Sequence, residues 1–281
     1  MQPATRRILI FLAITLLFSS VFYFLIINSK LSGGGGLYVR ALMWCPALAA
    51  LLTCRVVHKP VVELGWKWGK TKYQIWSYLI PIAYALIAYV GTWVSGLGGF
   101  YNPEFVKKVA DAFGWNHLTP GCVIALYVLL NGTYGMITSS ASALGEEIGW
   151  RGFLVPELAK VTSFTGTALI SGLIWSVWHY PVSIFGGYNA GTPVWYSLIC
   201  FTVMVVSISF VFAWMRLKSG SLWTGVFLHA SHNLFIQSIF TPLTKDTGKT
   251  AYVIDEFGFA LPLVAIFFAF FFWKKRMERR L

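Results

Sequence analysis

Charge is what this sequence has least of. Only 11% of its 281 residues are charged and ten are acidic, whereas soluble domains carry about 25% charged residues. A chain that is also 57% hydrophobic cannot cover a water-facing surface with polar groups. Cysteine is scarce too. Cys45, Cys54, Cys122 and Cys200 are scattered through apolar segments without a CxxC pair, which excludes a disulfide framework and leaves them as small buried hydrophobes. The three aspartates, Asp111, Asp246 and Asp255, all fall outside the apolar runs, so a paired-aspartate intramembrane protease lacks its acids. No Gly-x-Ser-Gly and no His-Glu-x-x-His occurs, which removes a rhomboid-like serine site and the usual zinc-protease helix. Zinc-finger and RNA-binding patterns are missing as well. The net charge of +12 is therefore not read as a nucleic-acid footprint; basic residues beside spans set topology and meet anionic lipid.

Apolar runs are what the chain has in abundance. A helix needs about 20 apolar residues to cross the hydrocarbon of a bilayer, and eight stretches qualify: Ile8–Asn28, Leu37–Cys54, Gln74–Ser95, Cys122–Trp150, Thr167–Phe185, Val194–Trp214, Leu222–Ile239 and Phe257–Trp273. The first follows Arg6 and Arg7 and is too long for a signal-peptide core, so it is expected to remain as a helix. Gly33–Gly36 predicts a flexible turn, and Asn102–Pro120 predicts a short surface helix. With the N-terminus in the cytoplasm, the inside segments hold Arg6, Arg7, the basic loop from Arg55 to Lys72, Arg151, Lys160, Arg216, Lys218 and the tail from Lys274 to Arg280. The outside segments hold only Lys30, Lys107, Lys108, Lys245 and Lys249, with Arg40 near an outer end. The fold expected is an all-α polytopic membrane protein, residues 1–281 forming one membrane domain of about eight transmembrane helices, both termini cytoplasmic. No internal repeat and no low-complexity linker divides it.

Ionisable residues inside spans are costly and mark functional sites by default. Here they are few. Glu146 and Glu147 end the fourth span, His179 lies on the fifth, and His229 and His232 lie on the seventh. Glu147 and Arg151 are i,i+4 neighbours able to pair, while Glu146 is turned about 100° away and left free for chemistry. A charge cluster that merely ends a helix is the plainer alternative. Trp175 and His179 share a helix face, with Pro181 two residues on; an interfacial histidine among belt aromatics is equally compatible with that pattern. His229 and Asn233 share another face, which would also suit a helix–helix hydrogen-bond patch. Together the three helices offer a general base, a partner to orient it and an oxyanion site.

These residues resemble the motifs of the CAAX-type prenyl endopeptidases and their bacterial relatives, grouped with bacteriocin-processing and immunity proteins as glutamic intramembrane proteases. Glu146-Glu147-Ile148-Gly149-Trp150-Arg151 matches Glu-Glu-x-x-x-Arg, and His229 to Asn233 matches His-x-x-x-Asn/Asp. Trp175 to His179 matches Phe-x-x-x-His except that tryptophan replaces phenylalanine, and His232 is outside the pattern. The matched core would be residues 122–239. The resemblance implies that Glu146 is general base on a water helped by His179, that His229 and Asn233 stabilise the oxyanion, and that Glu147, Arg151 and Trp175 support the site. It implies a membrane-anchored or prenylated protein or peptide as substrate, cut near the cytoplasmic face within the lipid bilayer, and no cofactor. A zinc ion on Glu146, His179 and His229 is the alternative chemistry left open. A non-catalytic immunity or peptide-binding protein and a proton-coupled transporter are the other classes the residues allow.

Overall fold

The structure, a computed structural model, describes residues 2–29 and 35–278. Its helices begin where the apolar runs begin and end where polar or glycine-containing turns interrupt them. Helix α1 spans Pro3–Asn28, α2 Gly35–Val56 and α3 Thr71–Val94. Of the turn expected at Gly33–Gly36, residues 33–34 lie outside the described residues, and 35–36 are helical, the first turn of α2. Helix α4, Pro103–Phe113, is the expected surface helix. Asn102 caps it by accepting hydrogen bonds from the Glu104 and Phe105 amides, and Gly114 ends it with a left-handed φ of 71°, the usual pair of helix boundary signals. One face buries Val106, Val109 and Ala110 against Val123 and Leu243.

Helix α5 then runs through Pro120–Leu158. Two of its stretches, Asn131–Gly135 and Ile148–Leu154, widen into π-helical turns. Helix α6 spans Phe164–Phe185 and continues through Pro181; the Ser183 hydroxyl takes up the His179 carbonyl. Helix α7 spans Val194–Ser219, and α8 begins at Trp223–Asn233 and continues through a π-helical stretch, Leu234–Phe240, to residue 243. Helix α9 is Ala260–Glu278. The strand content described is one two-residue antiparallel pair, Gly99–Phe100 with Thr244–Lys245.

Among the described residues, six helices are long and apolar enough to cross a membrane: α1, α2, α3, α5, α6 and α7. The expected seventh and eighth spans are present as α8 and α9. Helix α8 is diluted by His229, His232, Asn233 and Gln237, and α9 meets Lys274, Lys275 and Arg276 before its apolar run is long enough. Leu16, Leu17, Phe24, Val94 and Phe267 are each more than 60% exposed on the outside of the bundle, a surface that suits lipid rather than water. The chain is an all-α polytopic membrane protein.

Helix α7 forms the centre, with 72% of its apolar window buried against 28% for α1. Helices α6 and α9 pack along it, while α8 packs against α3 and α5, and α2 against α1 and α5. Small residues set these distances. A Cβ on Gly172 would lie 2.8 Å from the Val206 Cα, and one on Gly149 would lie 2.4 Å from the Pro46 Cβ. Close backbone approach at small residues is how helices associate where water gives no driving force.

Candidate active site

Two motif-bearing helices change pitch at or just after their motifs. Glu146 and Glu147 close the α-helical part of α5 before Ile148–Leu154, and His229 and Asn233 precede Leu234–Phe240 on α8. π-Helical turns are rare and recur at functional sites.

Glu147 is fully buried, and its Oε1 accepts hydrogen bonds from Arg151 Nη1 at 2.8 Å and His229 Nδ1 at 2.9 Å. The expected i,i+4 pair is formed. The Arg151 guanidinium lies between two rings, 4.1 Å from the Trp175 centroid and 3.8 Å from that of Phe212, where cation–π attraction adds to the ion pair. Glu147 Oε2 packs against Gly225, whose added Cβ would stand 2.5 Å away. Glycine is needed there to admit the carboxylate.

Glu146 faces the other way, as its rotation on the helix requires. Its Oε2 accepts from the Trp175 indole at 2.7 Å and the Trp150 indole at 3.3 Å. The Trp175 backbone carbonyl meanwhile accepts from His179 Nδ1 at 2.8 Å. That contact fixes the proton on Nδ1 and leaves Nε2 as the free ring nitrogen. The Trp175 ring also lies 5.3 Å from the His229 ring, edge to face. One tryptophan therefore touches Glu146, Arg151, His179 and His229. The indole N–H bond to Glu146 is one that phenylalanine, the residue at this point of the family pattern, cannot make.

The four expected catalytic side chains, Glu146, His179, His229 and Asn233, line one cavity of about 180 Å³. Trp175 and Trp178 form one wall, and Leu42, Met204, Val205 and Ile208 supply much of the rest. Glu147 and Arg151 stand behind that wall rather than on it. His232, which the motifs did not explain, also lines the cavity. Its Nε2 bonds Glu256 Oε1 at 2.9 Å, and its Nδ1 bonds the Tyr84 hydroxyl. Glu256 is a cavity residue that sequence reasoning missed. It precedes the last apolar run in a short polar stretch, and the signal that could have found it was the unpaired His232, since a histidine inside a bundle needs a partner. No three His, Cys, Asp or Glu side chains among the described residues are grouped so as to hold a metal ion.

Comparison with known proteins agrees with the motifs. Residues 133–235 match the family model described as Type II CAAX prenyl endopeptidase Rce1-like. That segment contains all three motifs. Over 111 residues the chain is also 28% identical to CAAX prenyl protease 2 of Methanococcus maripaludis, covering 38% of this chain and 40% of that protein. The matched part of the chain thus spans 40% of the relative's length.

Proposed function

We propose that this chain is an intramembrane endopeptidase that hydrolyses a peptide bond of a membrane-anchored or lipidated protein or peptide. The observation that carries the reading is that Glu146, His179, His229 and Asn233, on three separate helices, line one cavity. Glu146 takes a proton from a water held between it and the free Nε2 of His179. The water oxygen bonds to the scissile carbonyl carbon, and the carbonyl oxygen becomes an oxyanion. Asn233 and His229 receive that charge. His229 donates its Nδ1 proton to Glu147, so its Nε2 donates to the oxyanion only when the ring is an imidazolium. Glu147 is placed to stabilise that state, which gives the second acid of the motif a definite task. Collapse of the intermediate breaks the C–N bond, and the proton on Glu146 passes to the leaving amine.

In this reading residues 122–239 are the catalytic core of one membrane domain, and no metal is required. The similarity to a protein named CAAX prenyl protease 2 favours a prenylated substrate. Arg151 joins Glu147 to the layer of basic residues at one end of the bundle, through its carbonyl to Arg216 Nε at 2.7 Å, which favours an active carboxylate in the cytoplasmic half. The test is comparative membrane proteomics of cells carrying the wild-type or the Glu146→Ala protein, followed by cleavage of the accumulated precursor with purified protein. An uncut precursor and complete loss of turnover are expected. Normal turnover by Glu146→Ala would end the proposal. Turnover that survives 1,10-phenanthroline is expected; loss restored by zinc would replace the metal-free mechanism with the zinc one.

A further inference from the structure

Glu256 lines the same cavity as Glu146, and the motifs give it no task. It is 4% exposed and sits in the loop before α9. Its Oε1 is bonded by His232 and its Oε2 by the Tyr188 hydroxyl at 2.6 Å. Tyr188 in turn accepts from Gln237 Nε2 at 3.3 Å, and the Asp255 carboxylate fixes the loop by accepting from the Glu256 amide at 2.6 Å. The carboxylate is therefore held rigidly, and it lines the cavity with His232, Tyr188 and Gln237.

His232 is held at both ring nitrogens: Nδ1 bonds the buried Tyr84 hydroxyl and Nε2 donates to Glu256. The Tyr188 hydroxyl donates to the other carboxylate oxygen. Burial by itself pushes the Glu256 carboxyl up, but the hydrogen bond and electrostatic attraction of His232, with the hydrogen bond from Tyr188, outweigh it and hold the group below the usual carboxylate range. No lysine or arginine lines the cavity, and Arg151 is committed to Glu147. The cavity wall thus carries two carboxyl groups, Glu256 and Glu146, faced by histidines and by no permanently charged cation. A buried carboxylate without a permanent counter-charge is costly, and each carboxylate oxygen retains a second acceptor position.

We infer that Glu256, fixed by His232 and Tyr188, is a cation-accepting subsite that takes a positively charged group of the substrate beside the bond to be cut. The inference rests on the peptidase reading and adds a selectivity to it. A Lys or Arg side chain, or a terminal ammonium, would bond Glu256 while apolar neighbours in the peptide pack on Leu42, Phe201, Met204 and Val205.

Purified full-length protein tests this with N-acetylated, farnesylated, internally quenched peptides. They are identical except for Lys, norleucine or Glu on either side of the cut, and free-amine versions separate a terminal ammonium from a side chain. The lysine peptide is expected to exceed the norleucine peptide in kcat/KM by about tenfold or more, and the ratio is expected to fall toward one in Glu256→Gln. The same peptides are titrated into Glu146→Gln protein with tryptophan fluorescence as readout, since Trp175 and Trp178 line the cavity. Binding is expected to follow the same order and to lose it in the Glu146→Gln/Glu256→Gln double variant. Should Glu256→Gln not fold, Tyr188→Phe weakens the hold on the carboxylate, and the lysine-to-norleucine ratio of the unmutated protein is decisive alone. Cleavage without a lysine preference, or with one that survives Glu256→Gln, overturns the subsite and leaves the peptidase reading standing. Glu256-dependent lysine binding without any cleavage overturns the peptidase reading instead. Equal binding, or none, with no preference in cleavage overturns the subsite.

Discussion

Trp175 is the residue on which the site turns, because one side chain meets Glu146, the Arg151 of the ion pair, and the His179 and His229 rings. In Trp175→Phe an aromatic ring smaller than the indole remains, and the 2.7 Å bond to Glu146 is lost. A hydrogen bond to an ionised group contributes about 1.5–3 kcal/mol, so kcat is expected to fall about ten- to a hundredfold with little change in KM. An unchanged kcat would mean that Trp150 alone orients Glu146. Arg151 supports a prediction of a different kind. Arg151→Met leaves Glu147 buried with only His229 for company, and removing one member of a buried pair costs about 3–5 kcal/mol. Thermal unfolding in detergent should register that loss, while Glu146→Gln melts near the unmutated protein. Equal melting temperatures for Arg151→Met and Glu146→Gln would show that the pair is not what holds these helices together. The carboxylates and the histidines were legible as intramembrane charges at helical spacing. The task of Trp175 was not, because a tryptophan in a span is read as packing until its N–H is seen to meet an acid. Glu256 was signalled only indirectly, by the need of His232 for a partner: the two are separated by the end of α8 and a loop, and nothing in spacing connects them.

At the scale of the element, the apolar runs identified every long helix, since burial in lipid demands length and little else. They did not show the π-helical turns. Ile148–Leu154 contains Gly149 and Gly152 while Leu234–Phe240 contains neither glycine nor proline, so no shared residue pattern marks the two stretches. Gly149 lies within the first of them. Its neighbour on α2 is Pro46, whose carbonyl oxygen would be 2.7 Å from an added Cβ. Neither a proline ring nor a backbone carbonyl can swing aside, so Gly149→Ala should force α2 from α5 and disturb the nearby Glu146. The expected result is a sharply lower yield of folded, monodisperse protein. Gly121 provides the contrast: nothing lies within 4 Å of a Cβ built there, and Gly121→Ala should be tolerated, gaining up to about 1 kcal/mol from helix propensity. Similar yields for the two variants would show that α2 does not pack on the site helix as closely as this.

For the whole molecule, the arrangement of basic residues matters more than their number. Glu157 on α5 is fully buried and accepts from Arg7 at 3.5 Å, Lys59 at 3.2 Å and Lys160 at 2.6 Å. One acid therefore gathers the start of α1, the loop after α2 and the end of α5. Arg216 reaches the Leu64 carbonyl of that same loop at 3.3 Å, and Arg276 bonds Thr165 at the start of α6. The basic segments that the sequence assigned to one side of the membrane are thus held together at one end of the bundle. Lys107 and Lys245 belong to the other end, with the strand pair at 99–100 and 244–245. Because cytoplasmic loops carry the excess of Lys and Arg, the basic end is expected to face the cytoplasm. Cys45, Cys54 and Cys200 are buried and Cys122 is exposed, so replacing Cys122 with serine gives a quiet background for single-cysteine labelling. A membrane-impermeant maleimide should modify Lys107→Cys in intact cells and Lys67→Cys only in inverted vesicles. The reverse pattern would turn the molecule over, and with it the half of the bilayer in which Glu146 works, because the Arg151–Arg216–Leu64 contacts fix that carboxylate close to the basic end whichever way the bundle is inserted.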